Sequence, residues 1–101
     1  AAQIVNATAH GFCAYYFNPY THQIAQKIDK RVKESKTYRR NLELRGHVFY
    51  LSRISTCPVV LTENGFVSNS TDYNNMMKSE WNSKCADAIV KGIVDYFLEI
   101  G

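Results

Sequence analysis

The first long apolar block, Gly11-Phe12-Cys13-Ala14-Tyr15-Tyr16-Phe17, is unbroken and bounded by Gly11 and by Asn18-Pro19, which predicts a buried strand. Beyond that break the period changes. Ile24, Ala25, Ile28 and Val32 recur at helical spacing, while Gln26, Lys27, Asp29, Lys30, Arg31 and Lys33 take the other positions. An amphipathic helix from about Thr21 to Glu34 is predicted, with its charges on a solvated face. Ser35 to Gly46 reads as a polar connector carrying Arg39, Arg40 and Arg45, and as the most mobile part of the chain. His47 to Leu51 is a short strand, so strand, helix and strand follow in the order of a right-handed parallel unit. Ser52 to Cys57 has no room for a second crossover helix, which leaves a tight turn, a strand switch or an irregular excursion.

Val59, Val60 and Leu61 have no polar interruption, as expected of a strand from Cys57 to Thr62 buried on both faces. Ser70-Thr71-Asp72 offers cap and first-turn chemistry for a short helix with Tyr73, Met76 and Met77 on one side. Ser79 can cap a last helix, Glu80 to Glu99, whose stripe is Trp81, Cys85, Ala88, Ile89, Ile93, Phe97 and Ile100. That helix is expected to pack on the sheet through Trp81, Ile89, Ile93 and Phe97. The pattern predicts an α/β fold, helices on a mostly parallel sheet, in one domain without repeats.

Composition changes this picture little. The chain has 101 residues, 46% of them hydrophobic and 21% charged, which is globular. A chain near this length buries only roughly two-thirds of its unfolded surface, so half of a larger sheet would be marginal alone. The net charge of +3 suits an anionic surface, but the basic residues are scattered from Lys27 to Arg53 and the aromatics follow core periodicity. A nucleic-acid module is therefore not expected. Cys13, Cys57 and Cys85 form no C-x-x-C pair, so a zinc ribbon and a thioredoxin-type motif are excluded and each reads as a small buried hydrophobe. No membrane span and no signal peptide are read from the chain, which begins at Ala1 without Met and is expected to be a processed or excerpted piece.

The chemistry centres on Glu63. An apolar run ends there in a carboxylate and then turns sharply at Gly65, and in open α/β sheets reacting groups gather at the carboxyl ends of strands. The plain alternative is a strand-end acid paired with Arg40, Arg45 or Arg53. The stretch "TCPVVLTENGFVSN", followed by Thr71-Asp72 and the helix "CADAIVKGIVDYF", resembles the closing third of the zinc-dependent N-acetylmuramoyl-L-alanine amidases, with the likeness running from about Gly11 to Phe97. The resemblance implies cleavage of the amide between N-acetylmuramic acid and L-alanine of the peptidoglycan stem peptide. It implies that Glu63, in the family's Glu-x-Gly-Phe motif, is the proton-transferring carboxylate. It also implies action outside the cell or in its envelope.

The family's zinc ligands are a His in a Gly-rich turn, a Glu, and a His in a Ser-Ile-His-Ala-Asn-like strand, and none of these motifs is intact here. Laid over the last of them, "IVNATA" puts Asn6 at the His position; equally, the segment belongs to an insert before the next strand. Residues 1–101 are thus expected to be the carboxy-terminal portion of one amidase catalytic domain, inactive alone, with zinc in the complete domain but no metal held tightly by this chain. His10, His22 and His47 lack metal-ligand spacing: His22 reads as surface, and His10 and His47 as strand neighbours that could reach a cleft. Arg40 and Arg45 are candidates for holding a stem-peptide carboxylate, because guanidinium recognises carboxylates bidentately. The rival class is a non-catalytic remnant that at most binds peptidoglycan.

Overall fold

A computed structural model describes residues 10–38, 40–46, 58–66 and 68–100. The elements run β1 (Phe12–Tyr16), α1 (Pro19–Ser35), β2 (Asn41–Arg45), β3 (Leu61–Asn64), α2 (Ser70–Met76) and α3 (Ser79–Ile100). The three strands form one sheet in the order β2-β1-β3. β2 runs parallel to β1 with Ala14 opposite Glu43, and β3 runs antiparallel to it with Cys13 opposite Glu63.

Asn18 and Pro19 begin α1 rather than merely ending the strand. The Asn18 side chain accepts from the Thr21 amide at 2.9 Å, Thr21 Oγ1 accepts from the Asn18 amide at 3.0 Å, and Pro19 occupies the first turn, where its missing amide proton costs nothing. The helix ends at Lys36 in the left-handed conformation, φ 56°. Its inner face, Ile24, Ala25, Ile28 and Val32, meets Phe12 and Ala14 of β1 and Cys85, Ala88 and Tyr96 of α3 to form the core. Asp29, expected on the solvated face, is buried there, with Lys33 Nζ 3.0 Å from its carboxylate.

Three expectations about the strands need correction. The segment read as a mobile connector contains β2, because Leu42 and Leu44 alternate with Asn41, Glu43 and Arg45 at the period of a strand. The strand expected at His47 to Leu51 lies outside the described residues. β3 begins at Leu61, after described residues 58–60 that are not strand, and it is not buried on both faces: among the described strands it lies at the sheet's edge, with Leu61 42% exposed.

The last helix packs chiefly on α1. Gly92 is the close approach, since a Cβ there would stand 2.4 Å from the Ile28 Cα. The buried stripe is therefore Cys85, Ala88, Gly92 and Tyr96, with Trp81 and Ile89 at its margin, while Ile93 is 37% and Phe97 60% exposed. Ser79 is the first helical residue and not the cap; the Lys78 carbonyl accepts the Asn82 amide at 3.1 Å. Arg31 clamps the two helices from outside by a bidentate contact with Asp95 at 2.6 and 3.0 Å.

Candidate active site

Strand alternation divides the sheet into two faces. Phe12 and Ala14 are fully buried against the helices, so Cys13 and Tyr15 project from the opposite face. Directly paired residues of antiparallel strands share a face, which puts Glu63 on the outer side with Cys13. Glu63 is half-buried there, one residue before the end of β3. Since β3 is antiparallel, its carboxyl end lies where β1 and β2 begin. Glu63 thus stands near the carboxyl end of its own strand, as the sequence suggests, but on the side of the sheet where the two parallel strands start.

That end of the sheet gathers chemistry. Tyr15 pairs with Leu61 and so lies diagonally from Glu63 on the same face. The phenol is pushed up to about 12, first by burial and then by the neighbouring Glu63 carboxylate. Cys13 is 3% exposed; burial raises its thiol pKa, Glu63 adds to the rise, and Arg40 opposes it. Arg40 stands just before β2, is exposed, and donates from Nε to the His10 carbonyl at 3.2 Å. Glu63, Arg40 and His10 thus stand at the same end of the sheet. Arg45 does not join them: it closes β2 opposite Tyr16 at the other end, and its side chain lies outside the described residues.

The turn after Glu63 is held by a residue whose local sequence reads only as helix chemistry. Asp72 is 5% exposed, and its Oδ2 accepts the Gly11 amide at 2.8 Å and the Phe66 amide at 3.1 Å. One carboxylate therefore ties the start of β1 to the turn that follows β3. The cap of α2 is Asn69, whose Oδ1 accepts the Asp72 amide at 3.0 Å. Gly65 supplies the sharp turn with φ 103°, where a side chain would be strained and a Cβ would meet Met76 Sδ at 3.1 Å.

His22 is not a free surface residue. Its ring stacks on Tyr16 at 3.9 Å between centroids, and Nε2 lies 3.3 Å from Glu43 on the helix side. His47 lies outside the described residues. Among the described residues no three His, Cys, Asp or Glu side chains converge as metal ligands, so they do not by themselves compose a zinc site. The sequence reading missed Tyr15, hidden in an aromatic run that reads as core, and Asp72, whose position after Asn69 reads as a helix start.

Residues 2–95 match the family described as N-acetylmuramoyl-L-alanine amidase. An uncharacterized cell wall amidase of Bacillus anthracis is 37% identical over 103 residues, covering 91% of this chain and 19% of that protein. The germination-specific N-acetylmuramoyl-L-alanine amidase of Bacillus subtilis is 34% identical over 97 residues, covering 90% and 39%. The crystal structure of an N-acetylmuramoyl-L-alanine amidase from Clostridium difficile 630 superposes with a TM-score of 0.88 at 22% identity, over 100% of this chain and 55% of that one. The chain accordingly spans well under half the length of these two curated relatives and about half of that solved structure. With the family match running from Ala2 to Asp95, the chain belongs to the N-acetylmuramoyl-L-alanine amidase family.

Proposed function

We propose that this chain is the carboxy-terminal portion of a catalytic domain that hydrolyses the amide between N-acetylmuramic acid and L-alanine of peptidoglycan, and that Glu63 is its proton-transferring residue. The observation that carries the reading is the placement of Glu63 on the sheet face away from the helices, beside a sharp Gly65 turn braced by Asp72. Amide hydrolysis needs a base to take a proton from the attacking water and an acid to return one to the departing amine. One carboxylate can do both in sequence. Glu63 is half-buried, which leaves part of it open to water, and Tyr15 lies diagonally beside it on the same face. Arg40, exposed at the same end of the sheet, is the residue proposed to engage a stem-peptide carboxylate. Arg45, the second candidate from the sequence, is assigned to that role only if the substrate extends along β2.

Zinc belongs to this proposal as a component of the complete domain, where the family resemblance implies it. The residues described here contribute the proton chemistry and not a ligand set. The name of the Bacillus anthracis relative, a cell wall amidase, supports action on the wall, outside the cell or in its envelope. The test is Glu63→Gln in the full-length protein, with release of stem peptide from muramoyl-peptide measured per folded, metal-loaded molecule. Turnover is expected to fall while substrate binding persists; near-normal turnover overturns the assignment. Binding without turnover in the unmutated full-length protein would instead support the non-catalytic remnant.

A further inference from the structure

Glu63 stands where the sheet has least to hold it. Among the described strands β3 lies at the edge and pairs only with β1, and the ladder stops one rung past Glu63, at Phe12 opposite Asn64. Strand ends open more readily than strand centres. What closes this end is a side chain from outside the sheet. The Gly11 amide, just before β1, and the Phe66 amide, just past the Gly65 turn, both donate to Asp72 Oδ2, at 2.8 and 3.1 Å. One oxygen thus takes the place of the next rung. Asp72 is 5% exposed and is itself fixed at the start of α2: its amide donates to Asn69 Oδ1 at 3.0 Å, and the Asn69 amide donates back to the Phe66 carbonyl at 3.0 Å. The turn rests on it closely, since a Cβ on Gly65 would stand 3.5 Å from the Asp72 Cβ.

We propose that Asp72 is a positioning residue for Glu63: by holding the start of β1 and the end of the β3 turn on one oxygen, it fixes the backbone from which the Glu63 carboxylate is presented. The inference rests on the reading of Glu63 as the proton-transferring group. A group that moves a proton must sit within reach of the reacting atoms, and a displacement of about 1 Å costs on the order of 10²-fold in rate. Without the shared oxygen, two amides lose their acceptor and the last rung, one residue from Glu63, becomes the free end of an edge strand. The role is one of place and not of charge. Both amides need an acceptor oxygen at that point, and any group that puts one there serves.

The test separates place from charge in the full-length protein with Asp72→Asn, Asp72→Glu and Asp72→Ala, measuring kcat and KM for muramoyl-peptide hydrolysis per folded, metal-loaded molecule. Asp72→Asn keeps an oxygen at the same reach and removes the charge; Asp72→Glu keeps the charge and moves the oxygen by one methylene. Positioning predicts kcat within about threefold of parental for Asp72→Asn, a loss of about tenfold for Asp72→Glu and of up to about 10²-fold for Asp72→Ala, with KM nearly unchanged throughout. A second readout does not depend on turnover. In amide hydrogen exchange, peptides spanning Gly11 and Phe66 should exchange faster in Asp72→Glu than in the parent or in Asp72→Asn, while peptides spanning Ile28 and Ala88 keep the parental rate. Parental kcat in Asp72→Glu beside an inactive Glu63→Gln leaves Asp72 a brace of the fold alone and overturns the inference. So does a loss in Asp72→Asn as large as in Asp72→Glu, or exchange at Gly11 and Phe66 indifferent to Asp72→Glu. Should Asp72→Ala fail to fold, the contrast between the other two variants decides. Parental turnover in Glu63→Gln would instead remove the underlying reading of Glu63, and the positioning role with it.

Discussion

The two faces of the sheet each carry a tyrosine next to an acid, and the two pairs are put to different use. On the helix side Tyr16 stacks on His22, His22 approaches Glu43, and Glu43 lies in the field of buried Asp29. Burial first, and then Asp29, raise the pKa of Glu43, while His22 opposes the rise. Every partner there belongs to α1, so the chemistry of this cluster is spent in holding the helix to β2. On the outer side Glu63 has Tyr15 and Cys13 from one strand and Arg40 at the sheet's end, and no helix of the described residues stacks on it. Perturbed carboxyl pKa values cluster at functional sites in general. Here the raised carboxyl is the structural one, and the functional candidate is distinguished by the face it occupies.

The sharpest way to break the comparison is to neutralise each acid in turn. Glu63→Gln should lower turnover by about 10²- to 10⁴-fold, toward the upper end because both proton transfers are lost, with little change in thermal midpoint. Glu43→Gln should leave turnover near the parental value. Equal losses from the two substitutions would erase the distinction between the faces.

Asp72→Ala comes next, because it removes the brace from the Glu63 turn and strands two backbone amides. A loss of about 3 kcal/mol is expected from two charge-assisted bonds at a buried site, read by chemical denaturation, with Asp72→Asn costing less. If Asp72→Ala costs nothing, the turn is held by something else. Gly92→Ala probes the helix side alone. Its Cβ would stand 2.4 Å from the Ile28 Cα and 2.8 Å from the Lys27 carbonyl, both backbone atoms, so α3 must shift from α1. A cost of about 2 kcal/mol is expected, with turnover per folded molecule preserved.

The smallest effect concerns pH. Because the folded pKa of Glu43 is raised, its protonated form is favoured in the fold, and the associated stability is present below the ordinary carboxylate range and lost as pH rises through the raised value. Glu43→Gln carries a permanently neutral amide at that position. The parent should therefore lose thermal midpoint relative to Glu43→Gln as pH rises from the ordinary carboxylate range through the raised value. A parallel pair of pH curves would show that Asp29 and His22 cancel at Glu43.

Much of this was legible in the sequence because it is local. The capping residues Asn18, Pro19 and Thr21, the helical spacing of Ile24, Ile28 and Val32, and the glycine required two residues after Glu63 are all written within a few positions of where they act. The same holds for the β1 run. β2 was harder, since five residues with only Leu42 and Leu44 apolar resemble a linker until a neighbouring strand takes up their backbone hydrogen bonds.

What only the tertiary structure decided is pairing between distant segments. The periodicity of α3 defines a broad apolar stripe but not its partner; α1 was chosen over the sheet because Gly92 lets two backbones approach, which exposes Phe97. The direction of β3, the diagonal from Tyr15 to Glu63, and the bond from Gly11 to Asp72 across 61 positions all depend on register, and no short window of sequence contains both partners. Local propensity sets which elements form, while the faces they present to one another are settled only when long-range backbone pairing and close packing are satisfied together.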